Sequence, residues 1–288
     1  MLDRRWNRTS CSVCRVGETR FAELAEVTLA YEILGTGPRL VWCHGLGSSR
    51  AGDRDVIDAL AETFTVLCFD ARGHGESAPV RDEARYTYPA LSRDLRALLD
   101  LVGWDRVVLA GASMGGATAA RVAMEEPDRA EALIVARPAS SGTAASERLQ
   151  LLFRLGGEAI RSGGWDAAIS FVMTIPEAKA EIEADPGRIE ILHAEWSLHD
   201  PASIAAALIG IPASAPLTPE LDLKAITAPV LIIPGDDLIH PREAGETVAQ
   251  LIPTARLAEP LTGLIRAEET AKLVELIRDF VGEVASVG

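Results

Sequence analysis

A chain of 288 residues, 48% hydrophobic and 24% charged, holds enough apolar material for a sizeable core and lies far from the composition of disordered chains. Its formal net charge of −14 opposes binding to nucleic acid or to an anionic membrane, which leaves a small molecule as the expected partner. No apolar run follows the charged start Asp3-Arg4-Arg5, and the most apolar stretch, Ile204 to Leu217, is broken by Pro212 and Pro216, so neither a signal peptide nor a membrane span is expected.

Residues 1–20 read as a tail. Within it Cys11 and Cys14 form a C-x-x-C pair, but no second pair or nearby histidine completes a zinc site and no strand precedes it as in a redox fold. The other two cysteines, Cys43 and Cys68, sit in strand-like apolar runs, a usage that fits a reducing cytoplasm.

Short apolar runs ended by turn residues then alternate with helical patterns, which predicts an α/β fold: a mostly parallel sheet flanked by helices. Strands are expected at Val27–Leu34, at Arg39–Cys43 before His44-Gly45-Leu46-Gly47, and at Thr65–Phe69 before Asp70-Ala71-Arg72-Gly73-His74-Gly75. The stripe Leu91, Leu95, Leu98, Leu99 and Val102 has helical spacing and stops at Gly103. Further strands follow at Val107–Ala110, Ala132–Ala136, Pro229–Ile233 and Ala255–Ala258, and Leu273, Leu276, Ile277, Phe280 and Val281 mark a last helix. Between the strands ending at Ala136 and starting at Pro229 the alternation stops. An Ala-rich, helix-leaning segment, 139–223, reads as a helical lid inserted between two strands of a core formed by 21–138 and 224–288. Such a lid would cover the carboxyl ends of the strands, where open α/β sheets bind ligands.

Gly111-Ala112-Ser113-Met114-Gly115 lies between an apolar strand and a small-residue helix. A serine on so tight a strand-to-helix turn takes a strained conformation, and glycines two before and two after it avoid a clash across the turn. With His44-Gly45-Leu46-Gly47 after its own strand, the chain resembles the α/β-hydrolase superfamily, the esterase, lipase and epoxide-hydrolase-like group, from about Ala25 to Val284 outside the lid. The resemblance implies Ser113 as nucleophile and the backbone N–H groups of Leu46 and Met114 as an oxyanion hole, with His44 and His74 structural. It also implies an acid in Gly235-Asp236-Asp237-Leu238-Ile239-His240-Pro241; spacing to the proline selects Asp237, with Asp236 as the alternative.

The family's histidine follows the last strand behind a glycine. Here Gly263 is present but Leu264 stands next, and no histidine follows His240. The triad is therefore expected to be incomplete, which matters because a serine hydroxyl without a base within reach is a poor nucleophile. Three sources of a replacement are open: His240 beside the acid turn, and His193 or His199 in the lid, where Trp196 shares a helical face with His193. Three functions follow: hydrolysis of an ester, thioester or lactone; a non-hydrolytic cyclase, lyase or C–C bond-forming reaction of specialised metabolism that needs only the oxyanion hole; or an inactive binding homologue. No metal cluster, dinucleotide motif or phosphate loop is visible, so no cofactor is expected.

Overall fold

The computed structural model describes residues 17–139, 144–185, 187–214, 217, 221–262 and 267–287. The Cys11–Cys14 pair and Leu264 lie outside these residues, as does nearly all of the expected tail. Arg20, its last residue, already opens a strand.

The sheet has eight strands: β1 (Arg20–Glu23), β2 (Thr28–Leu34), β3 (Arg39–Cys43), β4 (Thr65–Phe69), β5 (Val107–Ala112), β6 (Ala130–Ala136), β7 (Val230–Ile233) and β8 (Ala255–Leu257). Their order is β1-β2-β4-β3-β5-β6-β7-β8. Only the β1–β2 and β2–β4 pairings are antiparallel; from β4 to β8 every pairing is parallel. Strand β1 was not foreseen, because of its four residues only Ala22 is buried and no apolar pattern announces it.

The parallel strands are buried on both faces, which explains why they read as continuous apolar runs rather than alternating ones. Alternate residues nonetheless serve different cores. Val41, Cys43, Leu109, Leu133 and Val135 pack with α2 (Tyr88–Leu101) and α3 (Met114–Glu125). Leu40, Trp42, Val108, Ala110 and Ile134 face the other way, onto α1 (Arg54–Ala61) and the last helix, Ala267–Val287. The leucine stripe of α2 is buried as its spacing requires, and the helix ends at Gly103 with φ +69.

Four helices occupy the chain between β6 and β7: α4 (Ala144–Val172), α5 (Pro176–Ala184), α6 (Arg188–Trp196) and α7 (Pro201–Ala213). α4 is broken at Gly163-Gly164, where φ of Gly164 is +66. α4 and α7 share a small core of Ile160, Ala168, Ile204 and Ala205, with Trp165 of α4 and Trp196 of α6 against it. α7 starts cleanly because Asp200 caps the Ser203 N–H and a proline stands in the first turn. Ala206, Ala207 and Ile211 of α7 join the main core, and Gly210 lies against Glu83 and Tyr86, so α7 docks the inserted segment on the body of the fold. Among the described residues no helix is long and apolar enough to cross a membrane.

Candidate active site

Ser113 stands alone between β5 and α3 with φ 52 and ψ −118, a backbone state that a non-glycine residue holds at a cost of about 1–3 kcal/mol. The turn is held by Ser113 N–H donating to Ala136 O (2.9 Å) and Ala117 N–H donating to Ser113 O (3.0 Å). The glycine spacing is a steric requirement. A Cβ on Gly111 would lie 2.6 Å from Cys43 O, one on Gly116 would lie 2.9 Å from Gly111 O, and one on Gly115 would collide with the Cys43 carbonyl. The loop after β3 passes directly beside the serine: a Cβ on Gly45 would sit 3.7 Å from Ser113 Cβ.

The turn after β7 carries the decisive contact. Asp237 Oδ1 accepts hydrogen bonds from the N–H groups of Ile239 (2.8 Å) and His240 (2.9 Å), which curls the chain so that residue 240 folds back over residue 237. The His240 ring then lies with Nδ1 3.0 Å from both carboxylate oxygens and Nε2 2.9 Å from Ser113 Oγ. Gly235 permits the curl, since a Cβ there would stand 2.6 Å from His240 O. The expectation of an incomplete triad is corrected by this geometry, for an imidazole is bonded to the serine and backed by a carboxylate. Of the three histidines that the sequence left open as a replacement, His240 makes this contact, and one loop supplies carboxylate and imidazole together. Of the two acids, Asp237 holds the ring. Burial pushes its carboxyl up, but the bonds from His240 and the nearby Arg137 cation outweigh that and bring it down to about 2.

The other candidates have different partners. His193 is half exposed, 3.4 Å from Asp166, and Trp196 packs on Trp165 with ring centres 5.7 Å apart. His199 is buried and accepts from Gly75 N–H through Nδ1 at 2.9 Å. His44 accepts from Ala71 N–H (2.9 Å) and His74 from Gly47 N–H (3.2 Å), while the second nitrogen of each lies against a backbone carbonyl. Both therefore brace the loop beside Ser113. Around them Asp70 accepts from the N–H groups of Arg50 and Glu76, and Arg72 makes a bidentate pair with Asp94 at 2.7 and 2.8 Å.

His199 has a pH consequence. It must be neutral to accept the Gly75 bond, and burial, with His44 adding to it, lowers its pKa from 6.5 to about 4. The unfolded chain thus binds a proton in this window that the native chain does not, so the stabilisation is complete above about pH 6.5 and is lost as pH falls toward 4. Thermal melts through that range are expected to show a falling Tm with a shallower slope in His199→Gln, whose carbonyl accepts the same bond; equal slopes would contradict this. Asp237 titrates in a lower window, its contribution being present above 3.8 and lost as pH falls through about 2.

Sequence reasoning missed Arg137. It follows β6, is 5% exposed, has φ 50, and places Nη2 3.6 Å from Asp237 Oδ2. A charge and a proline ending the apolar run Ala132–Ala136 were the available signal. Beside Ser113, a small cleft is lined by Tyr88, Ala117, Pro138, Ala139 and Leu217, a largely apolar wall.

Comparison with known proteins agrees with this layout. Residues 38–263 match the family described as the alpha/beta hydrolase fold. Fluoroacetate dehalogenase from Burkholderia sp. is 36% identical over 121 residues, 41% of this chain and 40% of that protein. The chain thus spans less than half the length of the first curated relatives it matches. 3-Oxoadipate enol-lactonase 2 of Acinetobacter baylyi is 30% identical over 216 residues, covering 73% of this chain and 76% of that protein. Among solved structures, a thermophilic esterase from Thermogutta terrifontis superposes with a TM-score of 0.73 at 27% identity, over 93% of this chain and 99% of that one. A family match over most of the chain, with hydrolases among the relatives, leads to one conclusion: this chain belongs to the α/β-hydrolase fold family.

Proposed function

We propose that the protein is a serine hydrolase that cleaves a carboxylic ester or lactone of a small, largely apolar molecule. The observation that carries this reading is the 2.9 Å contact between His240 Nε2 and Ser113 Oγ, with Asp237 behind the ring. His240 takes the Ser113 proton at Nε2 as the oxygen attacks the carbonyl, then returns it to the leaving oxygen; Asp237 fixes the tautomer and stabilises the imidazolium. The N–H groups of Leu46 and Met114, on the loop and helix start that flank Ser113, are the donors for the developing oxyanion. Water then repeats the cycle on the acyl-enzyme. The apolar cleft beside Ser113 suits the acyl part of the substrate. The segment from α4 to α7 acts as the lid, and the esterase and enol-lactonase among the relatives support the ester and lactone classes.

The test is turnover of short-chain p-nitrophenyl esters and small lactones, with covalent labelling by a fluorophosphonate probe. Ser113→Ala is expected to lower kcat/KM by at least about 1,000-fold and to abolish labelling. A wild-type protein that neither turns over these substrates nor labels at Ser113 would overturn the reading.

A further inference from the structure

Arg137 is poorly explained as a stabilising residue. It is buried, and Nε and Nη2 have no hydrogen-bond partner among the described residues. Burying a guanidinium so incompletely satisfied costs several kcal/mol, and the ion pair it makes at 3.6 Å is a long one. Its backbone adds a further cost, because φ 50 is a state in which glycine or asparagine is at ease and arginine is not. An outlier held against two penalties points to work done by the side chain.

The surroundings show what that work is. Asp237 and His240 belong to a single loop, so nothing within the loop fixes its position against Ser113. A backbone chain across the strand ends does so in part. Ser113 N–H donates to Ala136 O, and the N–H of the next residue, Arg137, donates to Ile233 O at 2.7 Å, at the stem of the acid loop. The Arg137 side chain extends this chain to the carboxylate. Oδ1 of Asp237 already accepts from two backbone N–H groups as well as the ring, whereas among the described residues Oδ2 has only the His240 ring and the Arg137 guanidinium near it. Among the described residues the charged side chains against Asp237 are thus His240, from its own loop, and Arg137, from the end of β6.

We propose that Arg137 is a positioning residue: it tethers the Asp237–His240 loop to the end of β6, whose Ala136 carbonyl accepts from the Ser113 N–H, and holds Oδ2 so that both carboxylate oxygens face His240 Nδ1. The inference rests on the serine-hydrolase reading above. It predicts that Arg137→Gln lowers kcat about tenfold or more with KM little changed, since the side chain does not line the cleft. Removing the cation also strengthens the hold of the Asp237 charge on the imidazolium, so the acid limb of the kcat/KM profile moves to higher pH by about half a unit or more. Arg137→Lys, which keeps the charge, leaves the limb in place. On an Asp237→Asn background Arg137→Gln causes no further loss, because its target is already neutral.

Should the glutamine variant not fold, Arg137→Asn, which accepts the same φ, takes its place in every arm. An unshifted profile, an unchanged kcat, or a full additional loss on the Asp237→Asn background would overturn the role of Arg137 while wild-type turnover and Ser113 labelling left the hydrolase reading standing. Failure of wild-type turnover and labelling would instead remove that reading, and this inference with it.

Discussion

His240→Gln is expected to lower kcat/KM for ester hydrolysis by at least about 10,000-fold while leaving the protein folded. The size of the effect follows from the geometry. The ring bonds the Ser113 hydroxyl on one side and Asp237 on the other, and glutamine can occupy this space without accepting a proton in the transition state. What remains is binding and, on the proposed mechanism, whatever the N–H groups of Leu46 and Met114 contribute. Folding is expected to survive because Asp237 keeps its bonds to the Ile239 and His240 N–H groups, which do not depend on the side chain at 240. Initial-rate assays with circular dichroism on the same samples check both halves. A variant within tenfold of wild type would mean that His240 is not the base.

The second large effect concerns stability. Gly115→Ala is expected to cost about 3 kcal/mol, read as a fall in Tm on the order of 10 °C. The added methyl collides with the Cys43 backbone carbonyl, and that carbonyl cannot swing aside because Cys43 pairs with both Phe69 and Gly111 in the sheet. Gly47→Ala is the control. Gly47 has φ +77, but a Cβ there meets nothing within 4 Å, so only the conformational cost of about 1 kcal/mol applies. Equal melting temperatures for the two variants would contradict the steric reading of the elbow.

The difference between these glycines shows what a sequence can and cannot carry. Gly111 and Gly115 were legible because a tight strand-to-helix turn imposes a fixed spacing around its serine, so the constraint is local in the chain. The sheet was legible for a related reason: strands buried on both faces must be apolar throughout, and Leu109, Ile134 and Ile232 announce themselves. Strand β1 was not, since a strand with one buried residue leaves no pattern.

The contact of His240 with Ser113 was hidden for a different reason. His240 was visible as a histidine beside an acid, but its direction depends on Asp237 Oδ1 drawing in two N–H groups and on Gly235 leaving room. His240 therefore stood in the sequence only as one of three histidines that could replace the one expected where Leu264 stands. The partners of His193 and His199 were hidden by distance along the chain. His199 is held by Gly75 and His193 lies near Asp166, partners distant in sequence that no local spacing reveals. Arg137 is the extreme case, because its meaning requires β6 and β7 to be neighbours in the sheet.

The account depends above all on His240 activating Ser113, and the most direct measurement is the rate at which a fluorophosphonate labels Ser113 in wild type and in His240→Gln at one pH, with the adduct located by mass spectrometry. A fall of at least about 100-fold in the variant is the result expected if the imidazole withdraws the hydroxyl proton. Labelling of Ser113 at the same rate in both proteins would contradict it.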